Sequence, residues 1–129
     1  MLSKNKIDFK NKRILKLKRT VIEEVNKLAM ELLIENEQIL ACFSSMRDQL
    51  LFTNGRIIAM NVQGITGAKI DFTSIPYSKI QMYSVETAGA IDFDSELTVW
   101  VSGMGEFKFE FTTGSDVVGI CKMISRYIL

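Results

Sequence analysis

The chain of 129 residues contains no histidine. Histidine is the commonest general base at neutral pH and a frequent zinc ligand, so its absence removes the usual serine and cysteine nucleophile arrangements and most zinc sites. The two cysteines, Cys42 and Cys121, lie far apart and form no Cys-x-x-Cys pair. We interpret them as small buried residues in a reducing compartment. The sequence also lacks a glycine-rich phosphate loop. It therefore predicts no catalytic residues, no metal site and no cofactor.

Long hydrophobic runs are missing as well. Hydrophobic residues make up 47% of the chain and charged residues 24%, which is typical of one globular domain with a substantial core. No run is long enough to cross a bilayer. The basic N-terminus is not followed by the apolar stretch of a secretory signal. We therefore expect a cytoplasmic protein, which could still be peripheral to a membrane.

The charge is unevenly distributed. Residues 1–19 hold eight of the 16 basic residues and one of the 15 acidic residues, so a basic arm precedes an acidic body. This arm could dock on the acidic body of a neighbouring copy or stay solvated, lie on an anionic membrane surface, or contact nucleic acid without sequence specificity. The candidate contacts with an anionic surface are Lys10, Lys12, Arg13, Lys16, Lys18 and Arg19.

The arm leads into a pattern typical of a helix. Apolar residues recur every three or four positions from Ile14 through Leu17 and onward to position 32. Thr20 and Glu23 have the spacing of a capping box, which predicts an amphipathic helix over residues 20–36 behind the arm at 1–19. Its apolar stripe must cover some surface, and we take it as the candidate oligomer interface. The residues of this interface are Val21, Val25, Leu28 and Leu32.

Seven strand-like segments follow the predicted helix. Asn54-Gly55 predicts a type I′ hairpin turn, and Phe107, Phe109 and Phe111 alternate with polar residues, as in a half-buried strand. A helix is predicted from about residue 115, with Ser115 or Gly114 as its cap. The predicted strands span residues 38–45, 49–53, 56–62, 69–75, 79–86, 95–102 and 106–112.

This order of elements predicts a mainly β fold with two near-orthogonal antiparallel sheets and a C-terminal helix that closes one open corner. The stretches LLFTNGRIIAMNVQGITGAKIDFTSIPYSKIQMYSVETAG (residues 50–89) and DFDSELTVWVSG (residues 92–103) resemble the bacterial pleckstrin-homology (PH) family. The resemblance implies a PH-like barrel of seven strands over residues 37–129. It also implies no known catalytic activity, and ring-like homo-oligomers are associated with some members.

The sequence argues against two kinds of ligand, phosphoinositides and calcium ions. Eukaryotic PH domains bind phosphoinositides through cations in the loop after the first strand, where this chain has only Arg47 beside Asp48. That departure argues against a phosphoinositide partner. Asp92, Asp94 and Glu96 alternate as calcium ligands can, but the glycine of a calcium loop is missing, and we interpret them as a solvated strand edge.

The sequence therefore leads to three hypotheses about function. The first is a non-enzymatic PH-like interaction domain that self-assembles into a homo-oligomer, in which head-to-tail contacts could close a ring. The second is peripheral binding to an anionic membrane through the basic arm. The third is a peptide-binding module that pairs a partner strand at a barrel edge.

Overall fold

Eight strands and two α-helices make up the part of the chain that the structure, a computed structural model, describes: residues 12–87, 94–112 and 114–129. The strands are β1 (Arg13–Arg19), β2 (Ile39–Ser44), β3 (Gln49–Thr53), β4 (Arg56–Gln63), β5 (Lys69–Pro76), β6 (Ile80–Thr87), β7 (Ser95–Val101) and β8 (Gly105–Phe111). The helices are α1 (Lys27–Glu31) and α2 (Val117–Ile128).

The strands form one continuous hydrogen-bonded series in the order β5-β4-β3-β2-β1-β8-β7-β6. Neighbours are antiparallel except β1 and β8, which are parallel. The seven predicted strands correspond to β2–β8, so the mainly β prediction with a C-terminal helix is confirmed. The predicted number of strands is wrong, because an eighth strand joins β2 to β8 and connects the two halves of the fold.

That eighth strand comes from the predicted basic arm, where the spacing of Ile14 and Leu17 is also typical of a helix. Ile14 lies opposite Phe109 and Leu17 opposite Phe111, so the register shifts between them. Lys16 has a φ of 59°, the left-handed conformation of a bulge residue. The bulge turns both Ile14 and Leu17 into the core, although they are three positions apart. The three-residue spacing of Ile14 and Leu17, which is typical of a helix, therefore arises here from a bulge in a strand.

The predicted amphipathic helix over residues 20–36 is also wrong. Only a 3-10 turn (Ile22–Glu24) and the five-residue α1 form there. Thr20 does not begin a helix, because its backbone N–H donates to the carbonyl of Cys42 (2.9 Å) and so extends the pairing with β2.

The side chains of Asn26 and Gln49 stabilise this break in the predicted helix. Asn26 has an extended backbone (ψ of 135°), and its side chain caps α1 by accepting from the N–H groups of Leu28 and Ala29. The Gln49 amide of β3 donates to the carbonyl of Glu24 (2.8 Å), and its oxygen accepts from the Asn26 N–H (2.9 Å). These bonds satisfy backbone groups that a continuous helix would have paired internally.

Two hydrophobic cores lie on opposite faces of the β2–β4 sheet. Leu50 and Phe52 of β3 face the barrel interior, whereas Leu51 between them belongs to a second, outer cluster with Val25 and Ala29. Since strand side chains alternate between faces, a strand that is buried on both sides reads as an unbroken apolar run. This accounts for the composition of β3 and β4, and it shows that the 20–36 segment covers its own sheet.

The β3–β4 hairpin is confirmed, but the type I′ turn is not. Neither Asn54 nor Gly55 has a positive φ. Instead the Thr53 hydroxyl accepts from the N–H groups of Gly55 and Arg56, both at 3.0 Å. The Asn54 side chain is then available to the preceding loop, where it accepts from the Gln38 N–H and donates to the Asn36 carbonyl, again at 3.0 Å.

Helix α2 packs its apolar face on the barrel interior through Ile120 and Ile124. Its cap is Asp116, whose carboxylate accepts from the Gly119 N–H (3.2 Å), and not Ser115 or Gly114 as predicted. The Tyr127 ring stacks on Tyr77 with centroids 5.1 Å apart. The helix thus lies over the gap between β5 and β6, the two ends of the strand series.

The role of β1 can be tested with two leucine substitutions. We expect Leu17→Ala to lower the free energy of unfolding by about 2–4 kcal/mol, because it leaves a cavity beside Phe111. Leu15→Ala, whose side chain is 48% exposed, should change it by less than about 0.5 kcal/mol. Urea unfolding at equilibrium measures both values. Equal effects of the two changes would contradict the inward register of β1.

Candidate interaction surface

Exposed hydrophobic side chains concentrate in the segment between residues 21 and 40. Seven of the fifteen large hydrophobic residues that are exposed in the described part of the chain lie there. They are Val21, Ile22, Leu28, Met30, Leu32, Ile34 and Leu40. Ile34 is 72% exposed, which is costly for an aliphatic side chain with no partner. We call these seven residues the 21–40 surface, and a concentration of this kind is typical of an interaction site.

The four residues of the predicted oligomer interface divide between two locations. Val25 is only 6% exposed, because it packs in the outer core against the β2–β4 sheet. Val21, Leu28 and Leu32 are exposed and belong to the 21–40 surface. Ile22 lies at the margin of the helical stripe that the sequence predicts. The stripe does not include Met30 and Ile34, which one continuous helix would have placed on another face.

A charged clamp fixes the C-terminal end of this segment to the barrel. The Arg56 guanidinium of β4 donates from Nε to Glu37 Oε2 and from Nη2 to Glu37 Oε1, both at 2.8 Å. The same Nη2 donates to the Leu32 carbonyl (2.8 Å), and Nη1 donates to the Ser74 hydroxyl of β5 (2.9 Å). Such two-point pairing has a defined geometry and is stronger than a single neutral hydrogen bond.

The Glu37 carboxylate accepts two further hydrogen bonds besides those from Arg56. It accepts from the Thr53 hydroxyl (2.7 Å) and from the Ile34 N–H (3.0 Å). The hydrogen bonds from Arg56 are the largest influence and hold the pKa of Glu37 at about 2, against the opposing effect of burial. Glu37 therefore remains charged at neutral pH and fixes the loop that carries Ile34.

The described cations of the arm mostly contact their own barrel. Lys12 donates to the Met104 carbonyl and lies 5.3 Å from the centre of the Phe107 ring. Arg13 forms an ion pair with Glu96 (2.8 Å), and the Arg19 guanidinium lies 5.6 Å from the Phe43 ring centre.

The side chains of Lys16 and Lys18 are exposed. Lys10 lies outside the described residues. Strand β1 therefore presents two lysines to solvent, while its other described cations also stabilise the barrel.

The two charged side chains of the loop between β2 and β3 are engaged with the barrel. Arg47 donates to the Gly64 carbonyl (2.5 Å), and the Asp48 carboxylate accepts from the Val62 N–H (2.9 Å) and the Asn61 amide (3.2 Å). These contacts join the loop to the end of β4. Arg47 is the one cation of this loop, residues 45–48.

Of the alternating acidic residues Asp92, Asp94 and Glu96, the structure describes the last two, and Asp92 lies outside the described residues. Glu96 lies within reach of two cations, Arg13 and Lys108. Within residues 12–87, 94–112 and 114–129, no group of three or more acidic or cysteine side chains is placed to hold a metal ion. Burial raises the pKa of the Cys42 and Cys121 thiols, which disfavours the thiolate form.

A model of the bacterial PH domain family matches residues 8–128 of this chain. The chain belongs to the bacterial PH domain family. The match includes β1, so the strand from the basic arm lies within the family's own boundaries. Across the helices in the described ranges, none combines the length and apolar character that spanning a bilayer requires.

Two solved structures from Shewanella are similar to this PH domain. A protein with a PH domain from Shewanella loihica PV-4 is 39% identical with a TM-score of 0.75, covering 89% of this chain and 99% of that one. A PH domain from Shewanella amazonensis SB2B is 45% identical with a TM-score of 0.62, covering 82% and 90%.

Among curated relatives, the uncharacterized protein YjqA of Bacillus subtilis (strain 168) is 51% identical over 72 residues. That alignment covers 56% of this chain and 58% of YjqA, so the chain matches little more than half of this relative. None of these relatives indicates an enzymatic family.

The clamp predicts a specific dependence of stability on pH. Because the folded pKa of Glu37 is about 2, below the ordinary value near 4.5, its stabilisation is present above pH 4.5 and is lost as the pH falls toward 2. We expect Glu37→Gln to lower the free energy of unfolding by about 2–3 kcal/mol at pH 7. The difference from the unsubstituted chain should shrink as the pH falls toward 2.

Urea unfolding between pH 7 and pH 2 measures that difference. The matched control is Glu35→Gln, an exposed carboxylate two positions earlier, which should cost less than about 0.5 kcal/mol throughout. A cost of Glu37→Gln that stays constant over the whole range would refute the clamp as its cause.

Proposed function

We propose that this PH domain is a non-enzymatic, cytoplasmic interaction domain that assembles with copies of itself. The observation that carries the proposal is the 21–40 surface, which has seven exposed hydrophobic residues and whose residues 32–37 are held to the barrel by the Glu37–Arg56 clamp. Stable interfaces bury about 800 Å² on each partner and are most apolar at their centre. A fixed apolar surface is suited to such a contact because little conformational entropy is lost on binding.

The charge distribution supports contacts between different faces of neighbouring copies. The body of the chain is acidic, and residues 1–19 are basic. Unlike charges on different parts of one surface favour head-to-tail association, and head-to-tail contacts close into rings when the rotation between copies allows it. The closed assembly is therefore the form that we expect, rather than a twofold dimer.

Light scattering over a range of protein concentrations tests the assembly. We expect a stable multimer, and we expect Leu28→Glu with Leu32→Glu to shift its mass toward the monomer, because two charges would be buried at the contact. Ile65→Glu is the matched control, since Ile65 is fully exposed but lies in the turn after β4. A monomer at every concentration would eliminate this proposal.

Peripheral binding to an anionic membrane is the second candidate function. It is favoured by the exposure of Lys16 and Lys18 on β1, with Leu15 beside them 48% exposed. Lys4, Lys6 and Lys10 precede the strand and would add to the attraction. Each cation near an anionic surface contributes about 1 kcal/mol, and this contribution is screened by salt.

Co-sedimentation with vesicles of phosphatidylserine and phosphatidylcholine tests this second function. Binding should fade as salt is raised and should weaken when Lys16 and Lys18 are both changed to Gln. The control is the exchange of Lys27 and Lys79, two exposed lysines away from β1, for Gln. Binding that is unaffected by the first pair, or that is absent at low salt, would exclude the membrane as a partner of this strand.

A further inference from the structure

A groove separates strand β6 from helix α2. Its volume is about 640 Å³, and its walls are mostly apolar, with Val85 from the strand and Val117, Val118 and Cys121 from the helix. Val118 is 44% exposed although it lies on a helix that packs against the barrel. The groove therefore leaves apolar side chains exposed. Its residues are far in sequence from those of the 21–40 surface.

The groove runs along an unpaired strand edge. Strand β6 ends the strand series, and in the described part of the chain it pairs only with β7. Strand β5, at the other end of the series, ends in Pro76, which has no N–H to offer a further strand. An edge that keeps its backbone donors and acceptors can accept an added strand.

Contacts between β6 and α2 hold the groove at a fixed width. The Tyr83 hydroxyl lies 2.6 Å from the Ser125 hydroxyl and donates to the Cys121 carbonyl (3.3 Å). Tyr127 stacks on Tyr77 below this point and anchors the last turn of the helix. A strand that entered the groove would therefore meet a preformed wall, which lowers the entropic cost of binding.

Charge determines what kind of strand would fit. Lys122 and Arg126 line the groove, and no acidic side chain lines it. No ion pair with a carboxylate in residues 12–87, 94–112 or 114–129 involves either cation. Within a body that is acidic as a whole, this local positive character favours a partner with carboxylates.

We propose that the β6–α2 groove binds an extended peptide segment of another protein, which adds to β6 as a further strand. Its alternate side chains are apolar and pack against Val85, Val118 and Cys121. Its acidic residues lie toward Lys122 and Arg126. The groove and the 21–40 surface share no residue, so substitutions can test the two sites separately.

The probe is a displayed library of random eight-residue peptides, selected on the full chain. Enriched peptides should combine alternating apolar residues with acidic residues. When they are synthesised and measured by fluorescence anisotropy, Val118→Asp should weaken binding by about tenfold or more. It places a carboxylate in the apolar wall, where it repels the acidic residues of the peptide and attracts Lys122 away from them. Reversal of both cations, Lys122→Glu with Arg126→Glu, should weaken binding as well. Exposed Ile65→Asp and Lys79→Glu are the matched controls, and neither should change the affinity.

Methylation of alternate peptide amides tests the added strand itself. It removes backbone donors while keeping the side chains, so binding should fall by about tenfold or more, and bound peptide should slow hydrogen exchange of the β6 amides. The proposal would be overturned if selection on the unsubstituted chain enriched no peptide that selection on the Val118→Asp variant does not also enrich. Equal binding of methylated peptides would also overturn it. If Val118→Asp instead dissociates a multimer, the occupant is a second copy of this chain and not a foreign peptide.

Discussion

The gap between β2 and β8 is the constraint on which the rest of this PH domain depends. Both strands would expose backbone donors and acceptors there, and the barrel interior would open to solvent. Strand β1 fills the gap by pairing antiparallel with β2 and parallel with β8. Ile14 and Leu17 close the core behind it. The basic character of the arm is compatible with this role, because its described cations extend to the outer surface of the barrel.

Closure of the barrel by β1 decides what the following segment does. Residues 20–36 are not needed inside, so they cross the outer face of the β2–β4 sheet and form a second core with Val25 and Ala29. A thin covering of one 3-10 turn and one five-residue helix cannot bury all of its own apolar side chains. The remainder face outward, and the Glu37–Arg56 clamp holds the C-terminal end of the segment to the barrel. The uncovered surface is therefore a consequence of how the fold is completed.

Glu37, Arg56 and the two thiols are engaged within the fold itself. The charged groups with the most defined geometry, Glu37 and Arg56, are committed to each other, and the two thiols are held protonated by burial. The proposed contacts with partners use surfaces of two kinds. One is an apolar side-chain surface over residues 21–40, suited to a folded partner, and the other is a backbone edge beside an apolar helix, suited to an extended one.

Local patterns in the sequence determined most of this architecture. Alternation in β8, the Asn54-Gly55 hairpin and the apolar face of α2 depend on neighbours a few positions apart, and such patterns can be read from a single sequence. The tertiary structure alone decided the conformation of residues 13–36. There the left-handed conformation of Lys16 places both Ile14 and Leu17 on the inner face of β1. Gln49 of β3, far along the chain, stabilises the break at Asn26. The Glu37–Arg56 pair and the β6–α2 groove likewise join groups that only the fold brings together. Sequence specifies which surfaces are apolar, but which of them stays uncovered depends on the packing of the whole chain.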